Sequence, residues 1–338
     1  MRPDRASRRS GPARAPPVYR YVATRVGQSA LLLVLVVSLS FLFIRMAPGD
    51  PVTYLYGSQQ LSAEVLRNIR HEWGLDRPLW EQYWAYVRNV GQGNLGYSQI
   101  NQQSVIALLR AIVPNTLLLM APSILIAAVV GVLFGIAASL RVNRWSDYTI
   151  GAVSLVGYST PPFWLGIIFI VIFASKLRWL PTQGMTTLGG DQKGLAFVLD
   201  VARHLALPGG VLVWWYLAAF ARLTRASMLE ESVKPYLVTA RMKGLPEQRV
   251  VYRHALRNAA KPILTMLGLY LGTMLAGAVL TEVVFSWPGM GRLLFTSIIQ
   301  HDYPVVLGIF MLVGTVVVLT NLFVDLLYLV VDPRIRYV

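Results

Sequence analysis

The chain has 338 residues, of which 55% are hydrophobic and only 14% charged, and its mean hydropathy is +0.53. So few charges cannot cover a water-soluble domain, so the composition places the chain in a bilayer. The net charge of +15 then reads as membrane topology and contact with anionic headgroups rather than nucleic-acid binding, and the absence of cysteine excludes disulfides and thiolate sites.

Residues 1–25 open the chain as a basic tail, and the first seventeen of them are rich in Arg, Pro, Ser and Ala without hydrophobic periodicity. A charge-free run from Val26 to Ile44 follows, giving a first transmembrane helix over 26–46. It exceeds a signal-peptide core in length, ends without a small-residue cleavage pattern and is succeeded by further spans, so it is not read as a leader. Residues 47–114 form an extracytoplasmic segment. Within it Leu61, Val65, Leu66, Ile69 and Trp73 recur at helical spacing after Ser62, with Gly74 as the stop. A second helix follows Asp76 and Pro78, with Leu79, Tyr83, Val87 and Val90 along one face. This segment reads equally as a cap packed on the spans or as a dock or gate for an external partner.

Residues 115–338 hold the remaining spans. Charge-free runs cover Ile112–Leu140, Tyr148–Ser175, Leu205–Ala221, Pro262–Thr281 and Tyr303–Val324, which brings the predicted number of spans to six. Long continuous runs without a dyad pattern favour helices over barrel strands. Gly131 and Gly135, and again Gly268 and Gly272, stand four apart and allow a neighbouring helix to approach closely. Pro161 and Pro162, between Thr160 and Phe163, interrupt the third span. The interruption fits a hinge or pathway lining at Pro161, Pro162 and Phe163, or a purely structural bend. Of the 31 basic residues, 20 fall on the side of the two termini and 10 on the other, which puts both termini in the cytoplasm.

Between the fourth and fifth spans, residues 236–262 are too basic to span and too patterned for a simple loop. Gly244 stops one helix and Pro246 starts another, giving a pair of short helices at an angle. The first offers Leu237, Ala240 and Met242. The second offers Val250, Val251, Ala255 and Leu256 above a rim of Arg249, Arg253 and Arg257. The expectation is a knob whose apolar side fits a groove in a soluble partner.

Catalytic constellations are missing. His71, His204, His254 and His301 are scattered without ligand spacing, and no Gly-Lys-Ser or Gly-Lys-Thr occurs for a nucleotide loop. Gly289-Met290-Gly291 follows Trp287-Pro288 rather than a strand and reads as a turn at the outer membrane face. Glu282, near the end of the fifth span, and Asp325 in the sixth are expected to bond between helices; an ion-coupled carrier or channel would instead use one of them for its coupling ion.

Thr239-Ala240-Arg241-Met242-Lys243-Gly244-Leu245, followed by Arg253-His254-Ala255-Leu256-Arg257-Asn258-Ala259, resembles the coupling loop of ABC importer permeases of the dipeptide, oligopeptide and nickel branch. Val238, Thr239 and Ala240 stand where the general loop has Glu-Ala-Ala, and Arg257 where it prefers Pro, departures that suit this branch. Similar in the same sense are Arg45 to Pro51, Pro162 to Gly166, Thr281 to Gly291, Asp302-Tyr303-Pro304, and Asp325 to Tyr328 with Asp332-Pro333-Arg334. The long segment after the first span resembles that of the B-type permease.

The resemblance implies an all-α, type I ABC importer permease in the bacterial plasma membrane, half of a passage for di- or oligopeptides. It implies a second homologous permease, two ABC ATPases that carry the ATP and magnesium, an extracytoplasmic binding protein, and no cofactor or enzymatic site in this chain. It assigns ATPase coupling to Thr239, Ala240, Arg241, Lys243, Gly244, Leu245, Arg253, His254, Ala255, Leu256 and Arg257, which would move as a lever.

Overall fold

The computed structural model describes residues 18–46, 62–72, 74–187, 189 and 193–331. The tail up to residue 17, the Ala47–Pro51 motif, Leu61, Trp73 and Asp332-Pro333-Arg334 lie outside these residues, as does the side chain of Arg45.

Helix α1 (Val18–Met46) leads to two shorter helices, α2 (Ala63–Glu72) and α3 (Leu79–Gly91), and a hairpin of β1 (Tyr97–Ser98) and β2 (Gln103–Ser104). Ser62 Oγ accepts the Val65 N–H and Gly74 takes a positive φ of 63°, so the α2 signals act as the sequence predicts. Helix α4 (Val105–Ser139) begins at the cap Ser104, before the charge-free run at Ile112. Arg110 sits exposed on the added turn and is therefore no obstacle to the helix.

Helix α5 (Trp145–Ser159) and helix α6 (Pro162–Phe169, continued by a π-helical stretch Ile170–Lys176) meet at 100°. Then come α7 (Leu195–Ser232), α8 (Pro235–Met242), α9 (Glu247–Ala276), α10 (Val279–Val284), α11 (Met290–Ile299) and α12 (Tyr303–Val331). Among the described residues, helices α1, α4, α7, α9 and α12 are long and apolar enough to cross a membrane, and the bent α5–α6 pair, taken as one broken span, is the sixth.

Helices α4 and α7 form the central pair. A Cβ on Gly135 would lie 2.5 Å from Thr224 Cβ and 2.7 Å from the Ala221 carbonyl, so only glycine lets these backbones approach so closely. Gly272 plays the same part for α9 against Thr320 of α12. Helix α1 stays at the edge, its inner face on α12, where Arg25 pairs with Asp325 at 3.3 Å.

The fifth span ends at Ala276, because Gly277 turns the chain at a φ of 71°; Thr281 and Glu282 therefore lie beyond it, on α10. Glu282 is fully buried. Its carboxylate accepts Thr116 Oγ1–H of α4 at 3.0 Å and the Arg292 N–H at the start of α11 at 3.0 Å, while Thr116 Oγ1 accepts the Met290 N–H at 2.7 Å. Trp287 Nε1 donates to the Asn115 carbonyl, and Asn115 Nδ2 donates back to that of Pro288. A Cβ on Gly289 would fall 2.5 Å from the carboxyl and one on Gly291 2.6 Å from Val279 Cα, which accounts for the Gly289-Met290-Gly291 spacing: the turn wraps a buried acid at a helix N-terminus.

Candidate functional site

The segment over 236–262 forms at the Ser139 end of α4. Helix α8 starts with Pro235 after the cap Lys234 and ends at Met242. Gly244, at a φ of 72°, donates its N–H to the Arg241 carbonyl at 2.9 Å, and Leu245 donates to that of Ala240 at 3.4 Å. These two bonds make a Schellman closure, and Leu245 and Ala240 share an apolar cluster across it. Pro246 then caps α9, accepting the N–H groups of Arg249 and Val250.

Two features differ from the sequence reading. The second helix is not a separate stub: from Glu247 it winds through a π-helical stretch, Val250–Ala255, and runs on past Pro262 to Ala276 as the fifth span itself. Val251, Ala255, Ala259 and Ile263 make a continuous buried stripe along it, whereas Arg253, Arg257 and Lys261 stay on the exposed side, so the charges do not end the helix.

The apolar side of the knob also faces the opposite way. Leu237, Ala240, Val250, Val251 and Ala255 are buried against Ile136 of α4 and Met228 of α7, with Leu256 half-buried beside them. Ala240 and Ala255, with Leu256 beside them, therefore pack the knob on its own spans rather than lying open on its surface. Met242 is the exception, 82% exposed. It shares the outer face with Val238, Thr239, Lys243, Gly244, Arg249, Tyr252, Arg253 and Arg257, all exposed.

Polar bonds fix the same geometry. Arg241 reaches Glu247 across the turn through Nε at 3.2 Å and Nη2 at 2.9 Å, and this hydrogen bond holds the guanidinium above its ordinary pKa. At the root of the knob Glu231, buried at the end of α7, accepts from Lys234 Nζ and from the Tyr236 hydroxyl, and that hydroxyl accepts Asn258 Nδ2 at 2.9 Å. Burial, then the bond to Glu231, pushes the Tyr236 phenol up; the same carboxylate raises Lys234. His254 is half-buried, and its carbonyl faces Asn258 Nδ2 at 3.4 Å. Glu231 carried no signal in the sequence, because one of two adjacent acids at a helix end, Glu230 and Glu231, looks like any solvated one until Tyr236 and Asn258 fold over it.

The other expected group sits at the α5–α6 break. Pro161 is the extended residue before α6, Pro162 its first residue, and Phe163 and Trp164 are exposed. The Val156 carbonyl accepts both the Thr160 N–H at 3.0 Å and the Thr160 hydroxyl at 2.7 Å, which closes the last turn of α5 before the break. Beside the break Tyr158 stacks on Trp215 of α7 and carries the Arg222 guanidinium 4.1 Å above its ring. Asp147, at the start of α5, holds Arg225 of α7 at 2.6 and 2.8 Å. Thus α5 is fastened to α7 near both of its ends, and Gly166 seats α6 against the buried Phe285 ring that follows α10.

Comparison with known proteins agrees with this architecture. The family model described as binding-protein-dependent transport system inner membrane component matches residues 131–337, and the model for the N-terminal part of such membrane components matches residues 18–120. The chain is 42% identical to the di/tripeptide transport system permease protein DppB of Pseudomonas aeruginosa, over 94% of this chain and 98% of that protein. It is 39% identical to the dipeptide transport system permease protein DppB of Escherichia coli K12, and 36% identical to the oligopeptide transport system permease protein AppB of Bacillus subtilis. Each of these covers 94% of this chain and 99% of the relative. The matched models and the end-to-end likeness lead to one conclusion: the chain belongs to the family of binding-protein-dependent transport system inner membrane components, as a multi-pass permease subunit of an ABC importer.

Proposed function

We propose that this permease carries di- or oligopeptides and is driven through the outer face of the α8–α9 knob, seated on a cytoplasmic ATPase. Membership of the family implies a partner ATPase and a substrate-binding protein. The finer assembly proposed is two permeases, two ATPases that hold ATP and magnesium, and one extracytoplasmic binding protein, with both termini of this chain in the cytoplasm. Support for the peptide class comes from the relatives, named as transporters of di- and tripeptides, dipeptides and oligopeptides. The basic residues concentrated on the side of the termini support the orientation.

One observation carries the coupling role: the knob uses its apolar face on its own spans and turns a polar face tipped by Met242 outward, while its second helix is the fifth span. A push on Met242 and Arg253 is therefore delivered along α9 without a flexible joint, and the spans it tilts exchange between inward-open and outward-open arrangements. Glu282 and Asp325, the acids an ion-coupled carrier would use, are engaged by Thr116 and the α11 N-terminus and by Arg25.

The test is made on the assembled importer in liposomes. Gly244 has open space around its Cβ position but a φ of 72°, so Gly244→Asn, which tolerates that backbone, is expected to keep most peptide uptake, whereas Gly244→Val loses most of it. Equal uptake and substrate-stimulated ATP hydrolysis in Gly244→Val and wild type would contradict the lever. Uptake by this chain alone on an ion gradient would contradict ATP-driven import.

A further inference from the structure

Helix α3 has two faces. Tyr83 and Tyr86 turn inward, each with its ring near Phe41 of α1, at 5.4 and 5.7 Å between centroids. The Tyr83 hydroxyl bonds Ser38 Oγ of α1 at 2.9 Å, and the Tyr86 hydroxyl donates to the Met311 sulfur of α12 at 3.0 Å. The other face is a ridge at four-residue spacing: Trp80, 65% exposed, Trp84, 62% exposed, and the exposed Arg88.

The depth of those contacts decides what the ridge meets. At a rise of 1.5 Å per residue, Ser38 lies about 12 Å and Phe41 about 8 Å below the Met46 end of α1, and Met311 about 12 Å below the start of α12. All three sit inside the membrane-spanning stretches Tyr19–Phe43 and Tyr303–Leu326. A helix holding both spans at that level lies beside them within the leaflet rather than above it. Helix α1 beside it also carries exposed apolar side chains near this end, Leu39, Leu42 and Phe43. Two tryptophans followed by an arginine suit the headgroup layer, the indoles among glycerol and carbonyl groups and the guanidinium on phosphate.

We infer that α3 is an interfacial helix whose Trp80–Trp84–Arg88 ridge is embedded in lipid headgroups of the leaflet at the Met46 end of α1. The occupant of this face is the bilayer, not the binding protein. Helix α3 thereby clamps the edge helix α1 to α12 and ties both to the membrane surface. This inference needs only that the chain spans a membrane and is independent of the cargo and the coupling route.

The chain has no cysteine, so single labels are clean in it. Trp80→Cys and Trp84→Cys, each spin-labelled in the assembled importer in nanodiscs made with otherwise cysteine-free subunits, are expected to collide more with oxygen than with a water-soluble nickel chelate. The same result is expected with the binding protein added. More nickel than oxygen collisions at both positions would place the ridge in water, and shielding from both reagents would place it under a protein; either overturns the inference. A second measurement keeps an aromatic ring at both positions and removes only the indole emission. In nanodiscs of lipids brominated near the carbonyl end of the acyl chain, the Trp80→Phe, Trp84→Phe double variant is expected to lose part of the quenchable emission of wild type. An unchanged quenchable emission overturns the inference.

Discussion

Glu282 has a structural role: from a fully buried position it ties α10 to α4 and to the start of α11, and burial holds its carboxyl above the ordinary carboxylate range. Its oxygens take a hydroxyl from α4 and an N–H from α11, and position 289 has room only for glycine because the carboxyl lies against it. Leaving a buried donor without its acceptor costs about 1–3 kcal/mol. Glu282→Ala orphans the Arg292 N–H and frees Thr116, so the complex is expected to lose about that much stability and to unfold at a lower temperature than wild type. Gly289→Ala, which drives a methyl into the carboxylate, should do the same without removing a polar group. A complex as stable as wild type in both variants would contradict the role assigned to Glu282. The sequence shows Glu282 as an acid that bonds between helices; Thr116 could not be named as its partner, since 166 positions separate them and only the fold brings them together.

The knob shows which part of an element its pattern reveals. Gly244 and Pro246 mark the stop and the start correctly, because capping geometry is local. The side on which the apolar residues act was not legible. Burial against one's own spans and burial against a partner place the same demand on Leu237, Val250 or Ala255, and periodicity records only the demand. The continuation of α9 through Arg253, Arg257 and Lys261 was hidden in the same way, since charges at a span end look like the end of the helix. At this scale the rigidity of the knob's root can be tested. Tyr236→Phe removes the hydroxyl that joins Glu231 at the end of α7 to Asn258 on α9, a bond to a charged group worth about 1.5–3 kcal/mol. The expected outcome is a few-fold fall in peptide transported per ATP hydrolysed, with ATP hydrolysis itself maintained. A transport ratio equal to that of wild type would show that the root carries no strain during transport.

For the whole molecule, five spans among the described residues, and a sixth where the bent α5–α6 pair is taken as one broken span, were readable from apolar length, and an interruption of the third run from two adjacent prolines, because both are properties of a stretch of chain in lipid. What joins the spans was not readable: Asp147 to Arg225, Arg222 over Tyr158, and Arg25 to Asp325 link residues far apart in sequence. The first two fasten α5 to α7 and the third fastens α1 to α12, while α7 itself packs on α4 and α9, so the proposed push on the knob would meet a packed unit of spans. The most direct measurement exploits the lack of cysteine. Met242→Cys in the assembled importer, beside Ala240→Cys as the buried control, is tested for cross-linking to the ATPase subunits with and without ATP. Cross-linking from position 242 that changes with nucleotide, and little or none from position 240, is the expected result. Free labelling of position 242 by a water-soluble maleimide throughout, with no ATPase cross-link in any nucleotide state, would contradict the claim that the engine grips this face.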